Sequence, residues 1–209
     1  EDTGGIELNY GNAEAMVKIT EMIAHREGFG EILAEGSKKA SEIIGRGTEE
    51  YLITSKGQEA PAHMPQVKRS LSVIYAANPF GADHESSEHD PGYKAYPERM
   101  KEIGLTNPQE KLALNKEMMR FAMITQHLSS AVDSISVCAF IFGATFQLYT
   151  PEQLVQAINA VMGWNVDMEE ILEVGERRLN MLRAFNSREG VGRESDTLPK
   201  KMFKRPLKG

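Results

Sequence analysis

Cysteine is nearly absent from this chain. Cys138 is the only one in 209 residues, so no internal disulfide can form and no metal cluster can be ligated from this sequence alone. A protein without disulfides suits a reducing compartment, and a cytoplasmic location is the expectation. Long hydrophobic runs are missing too. The longest apolar stretch, residues 137–146, is interrupted by Gly143 and falls short of the roughly 18 residues a membrane helix needs. No basic-then-apolar leader opens the chain, which starts at Glu1 rather than methionine and is read as a trimmed piece or a processed product. Excess positive charge is lacking as well: 24 Lys and Arg stand against 30 Asp and Glu, a net charge of −6. That balance argues against a nucleic-acid partner, whose affinity rests on concentrated cations. The one basic run, Lys200, Lys201, Lys204, Arg205 and Lys208, reads as a solvated tail.

What remains is the composition of a globular protein, 41% hydrophobic and 26% charged, with enough chain for one large domain or two small ones. Its punctuation is helical. Asn12 is placed to cap a helix with Met16, Ile19 and Ile23 on one face, ending at Gly28 and Gly30. A second helix is predicted from Glu31 to Ile44, with Gly36 inside it as a point of close packing and Ile43 among its inward residues. Residues 56–65 read as a loop and a plausible domain boundary, and residues 67–77 as another helix. Residues 80–97 form a long polar loop, which in compact proteins is either functional or disordered. Pro108 opens a long helical stretch towards Leu128. Thr150-Pro151-Glu152-Gln153 has the composition of a capping box, and Asp167 with Glu170 repeats the arrangement for a last helix. No alternating strand pattern competes, so the predicted fold class is all-α.

The segment His84-Glu85-Ser86-Ser87-Glu88-His89 superficially suggests a zinc-protease helix. Its histidines are spaced i, i+5, which turns them roughly 140° apart on an ideal helix, and Asp90-Pro91 reads as a helix terminator. A loop could still bring His84, Glu85, His89 and Asp90 together around a metal ion. His84 follows small residues in the long loop and is placed to reach a cleft. His63 is undecided, and His25 and His127 read as structural. Cys138 lies among apolar neighbours, so it is either a buried structural thiol or one ligand of a site completed from outside the chain. Two segments share one layout. In Asp2-Thr3-Gly4-Gly5-Ile6-Glu7 and Asp133-Ser134-Ile135-Ser136-Val137-Cys138, an aspartate precedes an aliphatic residue by four and a possible ligand or acceptor by five. Such a pair could face two halves of a pseudo-symmetric ligand.

These two segments resemble the D-x-x-G-L-(C/D) motifs of the tungsten-containing aldehyde:ferredoxin oxidoreductases. Lys56-Gly57-Gln58-Glu59-Ala60-Pro61 is similar to that family's K-G-x-E-x-P segment, and Leu33-Ala34-Glu35-Gly36 to part of its middle domain. Gly175-Glu176-Arg177, Phe185 to Gly190, and Asp196-Thr197-Leu198-Pro199-Lys200 resemble its C-terminal signature. The resemblance spans the chain. It implies the helical C-terminal domains of a larger enzyme, with residues 1–65 part of the middle domain and residues 66–209 the C-terminal one. It also implies a tungsten (less readily molybdenum) bis-pterin and a 4Fe-4S cluster, both expected to be lacking from this chain by itself. By resemblance, Asp2 and Asp133 hold the pterins with Ile6, Glu7, Val137 and Ala139 nearby, Cys138 ligates the cluster, and His84 handles a proton or orients substrate. The implied reaction is oxidation of aldehydes to carboxylic acids. The implied partners are ferredoxin or another electron carrier, the N-terminal part of the same enzyme, and a second copy in a homodimer. The sequence departs from the family pattern at Ser136, where a glycine is usual, and at Phe80 and Ser86, where basic residues flank the histidine. A non-catalytic helical module descended from the enzyme is the alternative.

Overall fold

A computed structural model describes residues 3–143 and 148–204. The chain is mainly helical, as the all-α reading expects. It opens with α1 (Ala13–His25), α2 (Phe29–Leu33) and α3 (Gly36–Ile44), then a 3-10 turn at Thr48–Tyr51. The Asn12 carboxamide accepts from the Ala15 amide at 3.1 Å, so the predicted cap is present. The buried face of α1 carries Ala15 and Ile19, while Met16 is exposed, a rotation of the expected apolar face by one residue. The helix stops at Arg26, not at the glycines, because Arg26 takes the left-handed conformation that ends a helix. The single helix expected over residues 31–44 is two helices. Gly36 has φ +83°, which no helix continues through. Close packing belongs instead to Gly30, where a Cβ would lie 2.2 Å from the Met22 carbonyl carbon. Ile43, expected inward, is exposed.

Among the described residues, 54–59 hold the only strands. Strands β1 (Thr54–Ser55) and β2 (Gln58–Glu59) pair antiparallel around Lys56-Gly57. Both turn residues have positive φ, 53° and 87°, as the tight hairpin turn matched to strand twist requires. Two residues per strand are too few to show an alternating pattern in the sequence.

Then come α4 (Arg69–Ala77), α5 (Asp90–Ala95) and α6 (Pro97–Glu102). The polar stretch predicted as a loop up to residue 97 therefore contains a helix. Asp90-Pro91 starts it rather than ending one, since proline fits the first helical turn, where its missing N–H is no loss. The long helix α7 (Lys116–Ser134) begins later than Pro108 suggested, because Asn115 supplies the cap to the Met118 amide at 2.9 Å. After α8 (Ala139–Phe142), helix α9 (Pro151–Met162) carries the full capping box at Thr150 and Gln153. Asp167 caps α10 (Met168–Arg188) through the Glu170 amide at 2.9 Å. A short α11 (Lys200–Lys204) closes the described chain.

Helix α7 is common to both parts of the core. Phe121, Leu128 and Val132 enter a cluster with Tyr93, Met100, Ile103, Leu105 and Leu154, and Tyr93 stacks on Phe121 at 4.8 Å. Ala122, one residue round, packs with Leu71, Ile74 and Tyr75 of α4 and with Ala82. Burial of such side chains contributes about 1.5–3 kcal/mol each, so these clusters set the position of α7. Helix α10 crosses α7 at Gly175, where a Cβ would sit 1.8 Å from the His127 carbonyl oxygen. Among the described residues no helix is long and apolar enough to cross a membrane.

One polar junction ties the ends of the chain together. The Lys56 ammonium meets Asp196 at 2.8 Å with side chains only 5% and 16% exposed. The Arg183 guanidinium forks onto the same carboxylate, at 2.7 Å for Nη1. Arg183 holds the Asp196 pKa down to about 2, with Lys56 adding to the effect against the opposing influence of burial. Breaking a buried, hydrogen-bonded pair from one side leaves an unpaired charge. Asp196→Ala is therefore expected to lower unfolding free energy by about 3 kcal/mol at pH 7, read from urea denaturation. Because the folded pKa lies below the unfolded value, the contribution is present at neutral pH and lost as pH falls through about 2. A loss below about 1 kcal/mol would rank the junction with exposed pairs instead.

Candidate functional site

The segment between α4 and α5 is ordered by four local anchors. Asn78, fully buried, donates to the Gly81 carbonyl at 3.1 Å and to Ser86 Oγ at 3.2 Å, and accepts from Gln126 of α7 at 3.3 Å. Ser86 donates on to Asp83. Gly81, at φ +103°, passes so close to the hairpin that a Cβ would lie 2.4 Å from the Ser55 carbonyl oxygen. At the far end the buried Asp90 carboxylate accepts from the Ser70 amide at 2.7 Å and from its hydroxyl. Burial pushes the Asp90 carboxyl up, and the Ser70 donors oppose that shift.

Held this way, the segment brings three imidazoles together. The His63 ring centroid lies 4.9 Å from that of His84 and 4.4 Å from that of His89, and His84 and His89 are 6.0 Å apart. They line a cavity of about 420 Å³ with Ser87, Tyr96 and Phe140. The Ser87 hydroxyl is buried with no partner among the described residues. His84 Nε2 meets Glu85 Oε1 at 2.9 Å. Burial, with Lys68 beside it, depresses the His89 pKa to about 4, so this ring is neutral at pH 7. Among the described residues no three His, Cys, Asp or Glu side chains are placed to hold a metal ion. Asp90, which a loop could have brought beside the histidines, is turned away to Ser70.

The second motif segment starts inside α7 and ends beside this cavity. Asp133 occupies the last turn of α7, half exposed, 3.2 Å from Arg178 Nη1. The helix closes with the Ser136 amide donating to the Asp133 carbonyl at 3.2 Å and the Val137 amide donating to that of Val132 at 3.3 Å. This is the paired bonding of a Schellman cap. Val137 and Ala139 then pack on the main core, which fixes Cys138 between them as the N-cap of α8, exposed. The buried-thiol alternative is therefore excluded by the fold. Phe140, two residues on, is the link to the histidines.

Of the first motif segment, Asp2 lies outside the described residues. Ile6 is half-buried and Glu7 exposed. The hydrogen bonds described for this stretch are local, among them Ile6 N–H to the Thr3 carbonyl at 3.3 Å and Asn12 Nδ2 to the Glu7 carbonyl at 3.0 Å. Gly4 and Gly5 have φ of 62° and 86°, with nothing within 4 Å of where a Cβ would stand. The third residue after each motif aspartate is thus left-handed in both segments: Gly5 in one, Ser136 at φ 57° in the other.

Residues 1–209 match the family model described as "Aldehyde ferredoxin oxidoreductase, domains 2 & 3". The chain belongs to this family. The tungsten-containing aldehyde ferredoxin oxidoreductase of Pyrococcus abyssi is 32% identical over 99% of this chain and 32% of its own length. The aliphatic sulfonate oxidoreductase WOR-like subunit of Pyrococcus furiosus is 28% identical over 86% of this chain and 24% of its own. The chain spans about a third of the length of the aldehyde ferredoxin oxidoreductases it matches. The active-site complex BamBC of benzoyl coenzyme A reductase, solved with 1,5-dienoyl-CoA, shares the fold with a TM-score of 0.75 over 99% of this chain and 35% of that one, at 19% identity.

Within this family the departures acquire physical content. Ser86, where the resemblance places a basic residue, is buried and bonded to Asp83 and Asn78, so it braces the loop rather than offering charge. Phe80 is exposed. Ser136 adopts the backbone that the usual glycine adopts freely, and a side chain there costs about 1 kcal/mol. Reverting it is a direct check. Ser136→Gly is expected to raise Tm by about 1–3 °C, the net of relieved strain and a more flexible unfolded chain. An unchanged or lower Tm would mean that the serine hydroxyl contributes more than the backbone strain removes.

Of the neighbours of His84, the sequence reading allowed His89, which a loop does bring near, but missed His63 and Lys68. Nothing local marks them, since their convergence depends on the turn into α4 and the Asp90 anchor.

Proposed function

We propose that this chain is the helical C-terminal portion of a tungsten-pterin, iron-sulfur oxidoreductase that oxidises an aldehyde to a carboxylic acid. In balanced form, an aldehyde and water give a carboxylic acid, two protons and two electrons, and the electrons pass one at a time to ferredoxin or another carrier. The observation that carries this reading is the cavity itself. Phe140, two residues beyond the only cysteine, lines it together with His84, so the motif segment and the family histidine adjoin one space.

The residues fit the groups that the family implies. An exposed thiol has the access that a cluster ligand needs, completed by three ligands from elsewhere. The carboxylates of Asp133 and Asp2 are acceptors for pterin N–H groups, and the left-handed glycines beside Asp2 leave the backbone of Ile6 and Glu7 open to close approach. Val137 and Ala139 secure the other half by packing. When bound, a tungsten bis-pterin supplies two-electron redox chemistry and the neighbouring 4Fe-4S cluster a single-electron exit. His84 works on protons: its Nε2 edge, partnered by Glu85, is half exposed towards the cavity and is suited to general acid–base exchange.

In this reading residues 1–65 belong to the middle domain and residues 66–209 to the C-terminal one, in keeping with the two domains that the family model names. The N-terminal part of the same enzyme covers the exposed apolar residues of α1 and the turn before it, at Tyr10, Met16 and Val17. The enzyme works in the cytoplasm, and a homodimer is the assembly. Aldehyde is preferred because the relatives named for it are the more similar, although a sulfonate oxidoreductase is also among the matches.

The test is His84→Asn in the full-length enzyme, which keeps size and hydrogen bonding but removes the titrating ring. Metal content should stay at the wild-type level, with kcat lower by on the order of 10²- to 10⁴-fold. Unchanged turnover would move the proton role elsewhere, and a loss confined to His89→Asn would place it on His89.

A further inference from the structure

Lys68 is a part-buried cation with an unusual set of neighbours. It stands at the N-cap position of α4, and its ammonium lies 3.0 Å from His63 Nδ1 and 3.0 Å from His89 Nδ1. An ammonium has only donors, so both Nδ1 atoms must accept. His89 supplies an independent check. Its other nitrogen, Nε2, lies 3.1 Å from the backbone carbonyl oxygen of His84, where it can only donate. Both contacts therefore assign His89 the same neutral form, with the proton on Nε2 and the lone pair on Nδ1. His63 takes the same form through Lys68. Lys68 does not line the cavity; it stands behind the rings. The Asp90 carboxylate, fixed by Ser70 two residues along α4, opposes the effect of burial on Lys68.

We infer that Lys68 is a positioning residue for the histidine site: it fixes the tautomers of His63 and His89, and through the His89 Nε2–H it holds the backbone of His84 in place. The segment bearing His84 is then tied to the first turn of α4 twice, by Asp90 to Ser70 and by His89 to Lys68. The first tie fixes the end of the segment. The second sets the ring orientation and the height of His84 in the cavity. Lysine suits this position because three donors on one compact head can serve two acceptors in different directions. A protonated His89 would have to face the Lys68 cation with Nδ1–H, so the arrangement also keeps a second positive charge from building up beside His84.

The inference rests on the reading of His84 as the working residue, and its test is chosen to separate the two. Lys68→Met in the full-length enzyme keeps much of the side chain's bulk and removes the donors. Amide exchange across residues 81–89 should rise by about tenfold, the scale of one or two lost hydrogen bonds, with α7 exchange unchanged. The kcat should fall by roughly 10- to 100-fold while KM changes much less, because misplacing a reacting group costs the transition state more than binding. Lys68→Arg, which keeps donors, should recover part of the loss. His89→Ala should loosen the same residues, and the double variant should exchange no faster than His89→Ala alone. Unchanged exchange at residues 81–89 in a folded Lys68→Met protein, or additive effects in the double variant, would overturn the inference. If Lys68→Met does not fold, unchanged exchange there in His89→Ala overturns it equally. Loosening without any effect of His84→Asn on turnover would sink the catalytic reading and leave Lys68 as the positioning residue. An inactive His84→Asn with an undisturbed loop in Lys68→Met would do the reverse.

Discussion

The part-buried meeting of Lys56, Asp196 and Arg183 is the contact on which the site's geometry depends. It joins a hairpin near the start of the chain, a helix near the end and the segment that follows that helix. Around it the same elements reach for the C-terminus of α4. Lys56 donates to the Ala76 carbonyl, Arg183 to that of Ala77 at 3.3 Å, and Asn186 to that of Pro79 at 2.6 Å. Those are the last residues before the loop that carries His84. The Ser55 hydroxyl adds a bond to the Thr197 carbonyl at 3.1 Å. Residues 76–81 are thus gripped from both ends of the sequence. That grip allows a loop with few apolar anchors of its own to hold a histidine in place.

Family signature segments usually invite a catalytic reading, and here several are scaffold. In Lys56-Gly57-Gln58-Glu59, the lysine goes to Asp196 and the glycine makes the turn. The Glu59 carboxylate accepts from the Ser37 amide and hydroxyl at 2.9 Å each, bonds that hold its pKa below the usual range. Asp196 of the C-terminal signature is the other half of the same junction. Gly175 permits the crossing of α7 and α10. The second motif segment begins instead where α7 ends, since one helix both fills the core with Phe121, Leu128 and Val132 and delivers Asp133 to the surface. Rigid burial of that helix is what gives the following exposed thiol a defined position.

Helix content, the caps at Asn12, Thr150 and Asp167, and the family resemblance were legible because each rests on patterns within a few residues. The errors also have local causes. Gly36 stands within a convincing apolar period, but its backbone is left-handed, which periodicity does not reveal. Asp90-Pro91 has the composition of both a helix end and a helix start, and the deciding fact is Ser70, twenty residues earlier, satisfying the aspartate. The trio of His63, His84 and His89 was hidden for a related reason. Spacing excludes a helical pair, and their approach is made by a lysine and an aspartate whose partners are set only by the tertiary fold.

The central claim is that the exposed Cys138, held between packed Val137 and Ala139, carries one ligand of an iron-sulfur cluster in a tungsten enzyme of which this chain is the C-terminal part. Metal analysis of the full-length enzyme, purified without oxygen as wild type and as Cys138→Ser, tests it most directly. The account predicts tungsten, or failing that molybdenum, in both proteins and a stable four-iron complement only in the wild type, since a cluster of this kind needs four thiolates. A full iron complement in the Cys138→Ser protein, or a wild type with neither metal, would contradict it.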